Sequence, residues 1–192
     1  MSKDALEQLL QNADGQGGPE DSRQFLSFVV DEEEYGVDIL RVQEIRGWQP
    51  TTRIPGVPGH IKGVLNLRGS VVPVIDLRLR FNLPELAYGP TTVVIVLQVI
   101  DDRGGHKMGL VVDAVSDVYT FEADRVQPPP DFGAQIGSVF LKGLVTMDHG
   151  MLILVDVDKL FDSDQMLELI DSADVADSDK GSAQQPPEAS AA

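Results

Sequence analysis

Residues 61–81, Ile61-Lys62-Gly63-Val64-Leu65-Asn66-Leu67-Arg68-Gly69-Ser70-Val71-Val72-Pro73-Val74-Ile75-Asp76-Leu77-Arg78-Leu79-Arg80-Phe81, return 80 positions later as Leu141–Phe161 without a gap. Lys62 recurs as Lys142, Gly63 as Gly143, Asp76 as Asp156 and Phe81 as Phe161. The apolar positions between them also correspond: Val64 with Leu144, Leu67 with Met147, Val74 with Leu154 and Ile75 with Val155. Short Val-rich strands resemble one another easily, but an ungapped match of this length points to a duplicated β module.

Outward from the repeat the same texture continues. Short runs rich in Val, Ile, Leu and Phe, separated by turn residues, predict strands at 25–30, 35–42, 63–67, 71–77, 92–100, 108–116, 143–147 and 151–157. Asp31–Glu34 and Asp101–Gly105 fall where hairpin turns belong. Pro73 cannot donate a ladder hydrogen bond, so its strand is expected at an edge or bulged. Upstream of each repeat copy stands a looser echo, Tyr35-Gly36-Val37-Asp38 in one half and Met108-Gly109-Leu110 in the other. Two related β subdomains in tandem account for both.

The ends differ in kind. The 192-residue chain is 42% hydrophobic and carries a formal charge of −16. Residues 1–22 hold five acids against Lys3, and residues 162–192 hold eight against Lys180, so most of the acidity lies in the two ends. Such segments resist burial and are expected to be flexible tails. Ser163–Asp171, with Met166, Leu167, Leu169 and Ile170, reads as a short helix packing on the β core. A surface this acidic disfavours nucleic acid, whose binding is driven by counterion release to a basic partner. The chain has no cysteine, which excludes disulfides, thiolate nucleophiles and zinc–thiolate sites and fits a reducing compartment. The N-terminus lacks a secretory pattern and no apolar run is long enough to span a bilayer, so a cytoplasmic location is expected.

Catalytic patterns are missing: the sequence contains no P-loop, dinucleotide fingerprint, nucleophile elbow or zinc-protease motif. His60, His106 and His149 are widely separated and are read as loop residues. Asp76 and Asp156 resemble a carboxylate pair, yet their equivalence by duplication suggests one structural task performed twice, hydrogen bonding at a strand end. Asp156, Asp158, Asp162 and Asp164 lack the glycine and closing glutamate of a calcium loop. No cofactor is expected. Between Arg41 and Arg80 seven basic residues face only Glu44 and Asp76, a local surplus able to steer an acidic partner. Arg68-Gly69 gives way to Asp148-His149 in the second copy, the kind of divergence that specialised binding produces.

Taken together, Tyr35–Arg46, Ile61–Gly69 and Val71–Arg78 resemble the CheW family of bacterial chemotaxis coupling proteins, and the likeness extends over about residues 23–170. The resemblance implies an all-β fold of two tandem five-stranded SH3-like barrels. It divides the chain into an N-terminal tail 1–22, a first barrel 23–88, a second barrel 89–162, and a short helix with an acidic tail over 163–192. It further implies a non-catalytic adaptor that joins methyl-accepting chemotaxis receptors to the histidine kinase CheA in membrane-associated arrays. By position, Ile39, Val42, Glu44, Arg68, Gly69, Val93 and Val115 would form the receptor-binding groove, with a possible Glu44–Arg68 pair. Arg125, Asp131 and Phe132 would contact the kinase or close adaptor–kinase rings. Two other readings remain open: a CheV-like or non-flagellar scaffold, the CheV form disfavoured by lack of room for a receiver domain, and an enzyme using Asp76 and Asp156.

Overall fold

The computed structural model describes residues 22–101, 104–129 and 140–161. Ten strands occupy most of them: β1 (Ser22–Val30), β2 (Glu33–Asp38), β3 (Val42–Gly47), β4 (Ile61–Leu67), β5 (Ser70–Asp76), β6 (Val93–Asp101), β7 (Gly104–Val112), β8 (Ala114–Glu122), β9 (Leu141–Met147) and β10 (Gly150–Val155). Two short helices, α1 (Leu77–Arg80) and α2 (Val157–Phe161), follow β5 and β10. Ile39–Arg41 and Ala123–Arg125 form single 3-10 turns.

The strands make two five-stranded sheets, β8-β1-β2-β10-β9 (the terminal sheet) and β3-β6-β7-β5-β4 (the central sheet). The mostly β fold class is thereby established. The division at residues 88 and 89 is not: the central sheet is one continuous stretch of chain, and the terminal sheet is assembled from its two flanks. The chain crosses between the sheets twice. It leaves β2 opposite Phe25 and enters β3 opposite Leu97, then leaves β7 opposite Val93, passes Asp113, and enters β8 opposite Val29. The duplicated modules thus lend their first hairpins to each other, which a one-dimensional reading of the repeat has no means of showing.

The repeat holds in atomic detail. Thr52 and Val64 exchange two 2.9 Å backbone hydrogen bonds, and so do Gln127 and Leu144. Each bridge ties the continuation of one edge strand, β3 or β8, to the opposite edge, β4 or β9. The close passage explains the two matched glycines. A Cβ on Gly63 (φ +122°) would lie 2.1 Å from the Thr52 carbonyl oxygen, and one on Gly143 would lie 2.6 Å from Val126 Cγ1 and 2.9 Å from the Gln127 oxygen. The Asp76 and Asp156 N–H groups donate to the carbonyls of His60 and Phe140, each at 2.8 Å.

Apolar alternation is divided among three clusters. Along β6, Val93, Ile95, Leu97 and Val99 enter a core shared by both sheets, while Val94 and Val96 enter a cluster belonging to the central sheet. Over Val93–Leu97 both faces of β6 are therefore dry, and that part of the strand is an unbroken apolar run. Phe25, Phe121, Val145, Leu152 and Leu154 fill the corresponding cluster of the terminal sheet. The shared core, which also holds Leu26, Phe28, Ile75, Leu110 and Phe161, makes the two sheets one body.

Several local expectations change. Tyr35–Val42 is a strand interrupted by a turn: Asp38 accepts a hydrogen bond from Leu40 N–H (3.0 Å) and the chain bends out of the terminal sheet. Residues 108–116 belong to two strands parted at Asp113, and the polar β3 was not expected at all. Pro73 lies in an interior strand, without a bulge at its own position. It stands opposite Val64, whose N–H and C=O both turn away to Thr52, so that pairing exchanges no ladder bonds. On the other side the parallel pairing with β7 begins only at Val74, so the missing N–H costs little. His106 sits within β7 rather than a loop. The expected helix at 163–171 and both acidic tails lie outside the described residues, apart from Ser22, which opens β1.

Candidate functional site

The aliphatic residues proposed for a groove converge on one place. Val93 and Val115 belong to the shared core, and Ile39 and Val42 pack against it from half-exposed positions, joined by Ile45 and Val118. They reach it from β6, from the first crossing, and from β3 and β8, the edge strands of the two sheets. At this seam between sheet edges, partly buried apolar side chains of the core reach the surface. Leu40, carried outward by the 3-10 turn, is 84% exposed. Its exposure was hidden in the sequence because the run read as continuous strand.

The charged members are placed differently. A register shift between Val42 and Glu44 turns the face of β3: Val42 and Ile45 stand opposite Leu97 and Ile95 on the shared-core side. Glu44 and Arg46 stand opposite Val96 and Val94, on the side of the central sheet's own cluster. Arg68 (φ 55°) and Gly69 (φ 95°) form the exposed turn between β4 and β5, where Gly69 N–H donates to Asn66 Oδ1 at 3.0 Å. No ion pair joins Glu44 to Arg68 among the described residues; Arg68 is left as a free, outward cation. Arg125 lies over the Phe121 ring (5.5 Å) and donates to the Thr146 carbonyl (3.3 Å), at one end of the terminal sheet. Asp131 and Phe132 lie outside the described residues.

Part of the basic surplus of residues 41–80, three of its seven cations, is paired with acids elsewhere in the chain. Arg41 pairs with Asp158 (2.6 Å), Lys62 with Glu85 (3.2 Å), and Arg78 with both Asp113 (2.5 Å) and Asp31 (2.7 Å). Arg78 thereby clamps the β1–β2 turn, in which Asp31 and Glu32 both adopt left-handed backbone, φ 54° and 68°.

Asp76 and Asp156 occupy the ends of β5 and β10, in different sheets. Asp76 Oδ1 caps α1 by accepting from Leu79 N–H (3.2 Å), and its other oxygen accepts from Tyr88 O–H (2.6 Å). Asp156 Oδ1 accepts from the N–H groups of Asp158 and Lys159. Each carboxylate caps its own helix, as duplication suggested. Burial, then the bond to Asp76, pushes the Tyr88 hydroxyl far above its ordinary range, so it serves as a fixed donor. Among the described residues no group of His and carboxylate side chains could hold a metal ion. His149 approaches Glu34 (3.2 Å), and burial followed by the Arg80 charge holds His60 below the usual histidine range. No helix of the described residues is long and apolar enough to cross a membrane.

Comparison with known proteins bears on the family and the fold. A chemotaxis protein CheW of Klebsiella aerogenes is 47% identical over 144 residues, covering 75% of this chain and 84% of that protein. One of Bacillus subtilis is 34% identical over 137 residues, covering 71% and 85%. The crystal structure of the scaffolding protein TtCheW from Thermoanaerobacter tengcongensis superposes with a TM-score of 0.67 at 33% identity, covering 74% of this chain and 94% of that one. The family model described as CheW-like domain matches residues 24–165, from β1 to beyond α2, and on that span the chain belongs to the CheW-like family.

Proposed function

We propose that the chain is a non-catalytic adaptor of bacterial chemotaxis that couples methyl-accepting receptors to the histidine kinase CheA, working in the cytoplasm and recruited to membrane-associated receptor arrays. The observation that carries this reading is the seam at β3 and β8, where half-exposed aliphatic side chains of the shared core lie between two sheet edges. An amphipathic helix of a receptor would bury its apolar stripe against Ile39, Val42, Val93 and Val115. Glu44 and the unpaired Arg68-Gly69 turn would set its orientation through charge. Kinase contact is assigned to Arg125, at one end of the terminal sheet, and, by sequence position alone, to Asp131 and Phe132. Helix-capping by Asp76 and Asp156 supports an adaptor over an enzyme, because both carboxylates are engaged in holding the fold.

The test is reconstitution. Purified chain mixed with a receptor signalling domain and CheA should give a ternary complex with altered kinase activity, and absence of binding to either partner would sink the proposal. Arg68→Glu should weaken receptor binding by roughly tenfold or more, the effect of reversing a charge that faces a partner. Its unfolding transition should be unchanged, since Arg68 makes no ion pair.

A further inference from the structure

A second apolar surface lies away from the seam and shares no residue with it. A cavity of about 480 Å³ opens between β2, β9 and β10 on one side and the turn after α1 on the other. Its wall is a run of rings: Tyr35 and Phe81 (centroids 5.4 Å apart), Phe81 and Phe140 (5.2 Å, stacked), with the Arg80 guanidinium 5.6 Å from the Phe140 centroid. Leu144 and Ile153, directly paired across β9 and β10, complete it, and Met151 stands 49% exposed at its rim. Glu33 lines the strand side without pairing with Arg80.

Two features of Arg80 bear on its role. The chain carries 31 acidic residues, yet among the described residues no carboxylate pairs with this cation. The repeat also supplies an internal control: the equivalent position in the second copy is Leu160, fully buried in the shared core. The two copies thus place different chemistry at matched positions, an apolar core residue in one and a partly exposed cation in the other. An unpaired cation fixed on an aromatic wall beside an exposed methionine is complementary to an apolar group carrying an anion next to it.

We infer that this cleft docks a segment of a partner protein that inserts a bulky apolar side chain between Met151 and the ring wall and places an adjacent carboxylate on Arg80. The cavity is within the size range of preformed binding clefts, roughly 300–1,000 Å³. Glu33 repels a second carboxylate and so fixes which end of the segment lies toward β2. The surface is independent of the seam and is tested with the seam intact.

A random peptide library displayed on phage is panned on the full chain, and the enriched peptide is labelled as a binding probe. Enriched sequences should place an aromatic or large aliphatic residue beside Asp or Glu. Met151→Glu should weaken the probe about tenfold, and Arg80→Leu by a similar factor with loss of the carboxylate preference. Arg68→Glu should leave probe binding unchanged. Arg80→Gln serves if the leucine variant unfolds, and an unaltered thermal transition confirms the fold of each. Lack of enrichment, or a probe indifferent to both cleft substitutions, overturns the inference. Two other results would also overturn it: displacement of the probe by a synthetic peptide of residues 162–171, which makes the occupant this chain's own tail, and self-association abolished by Met151→Glu, which makes it a second copy.

Discussion

A single methyl group at Gly63 is the smallest change that separates a required glycine from an incidental one. Its Cβ would overlap the Thr52 carbonyl, and the backbone there is left-handed, so relief needs both the strand and the bridge to move. Gly63→Ala should destabilise by about 3 kcal/mol or more. Gly143→Ala, whose contacts are longer and include a movable valine methyl, should cost less; urea unfolding of the pair gives both values. His60 offers a test in pH. Burial and Arg80 keep it neutral in the folded chain at pH values where the unfolded chain has already taken up a proton. The unfolded state then holds more protons, and stability must fall as pH drops from about 6.5, the ordinary histidine value, toward the lower folded one. In His60→Asn, which removes the titrating imidazole but keeps the carbonyl that bonds Asp76 N–H, that decline should be shallower by denaturant titration across this range.

At the scale of elements, the two short helices depend on the carboxylates that begin them. Asp76→Ala removes the cap of α1 and leaves the hydroxyl of Tyr88, whose ring packs tilted against Trp48 (centroids 4.1 Å apart), without its acceptor. A loss of about 2–3 kcal/mol is expected. Asp156→Ala removes a cap and a long, exposed ion pair with Lys159 (3.7 Å), and should cost about 1 kcal/mol; equal losses in the two variants would contradict this account. The strands of the repeat were legible because β4 and β9 alternate, β5 and β10 are short apolar runs, and the two pairs match at a fixed spacing. β3 was not: Val42-Gln43-Glu44-Ile45-Arg46-Gly47 carries three polar side chains, and a bulge breaks its alternation. The site was legible to a similar degree. Aliphatic residues destined for one core could be named from the motif, but the bulge that turns Glu44 away from Val42 leaves no trace in composition. The ion pairs of Arg41 and Arg78 span sequence separations of 117 and 47 residues, which a count along the chain reads as unbalanced charge.

Across the whole molecule, the interleaved sheets govern how the chain can be cut. Residues 22–88 contain β1 to β5, which are two strands of the terminal sheet and three of the central one; residues 89–161 hold the complement. Neither fragment can complete a sheet, and each exposes its side of the shared core. Expressed alone, neither should unfold cooperatively as a monomer, whereas the two together should copurify and regain a single transition by circular dichroism. Independent folding of either half would refute the assignment of strands to sheets.

The two crossings fall four residues apart along both β1 (Phe25 and Val29) and β6 (Leu97 and Val93). They fasten the sheets as two staples fasten a folded sheet of paper, and one staple alone would have left a pivot. Hinge-like opening of the seam would have to rearrange both crossings and the shared core at once, so a visitor meets jaws already set at their working gap. Such a body pays little ordering entropy on contact, and it hands a push received on one flank to the other undiminished.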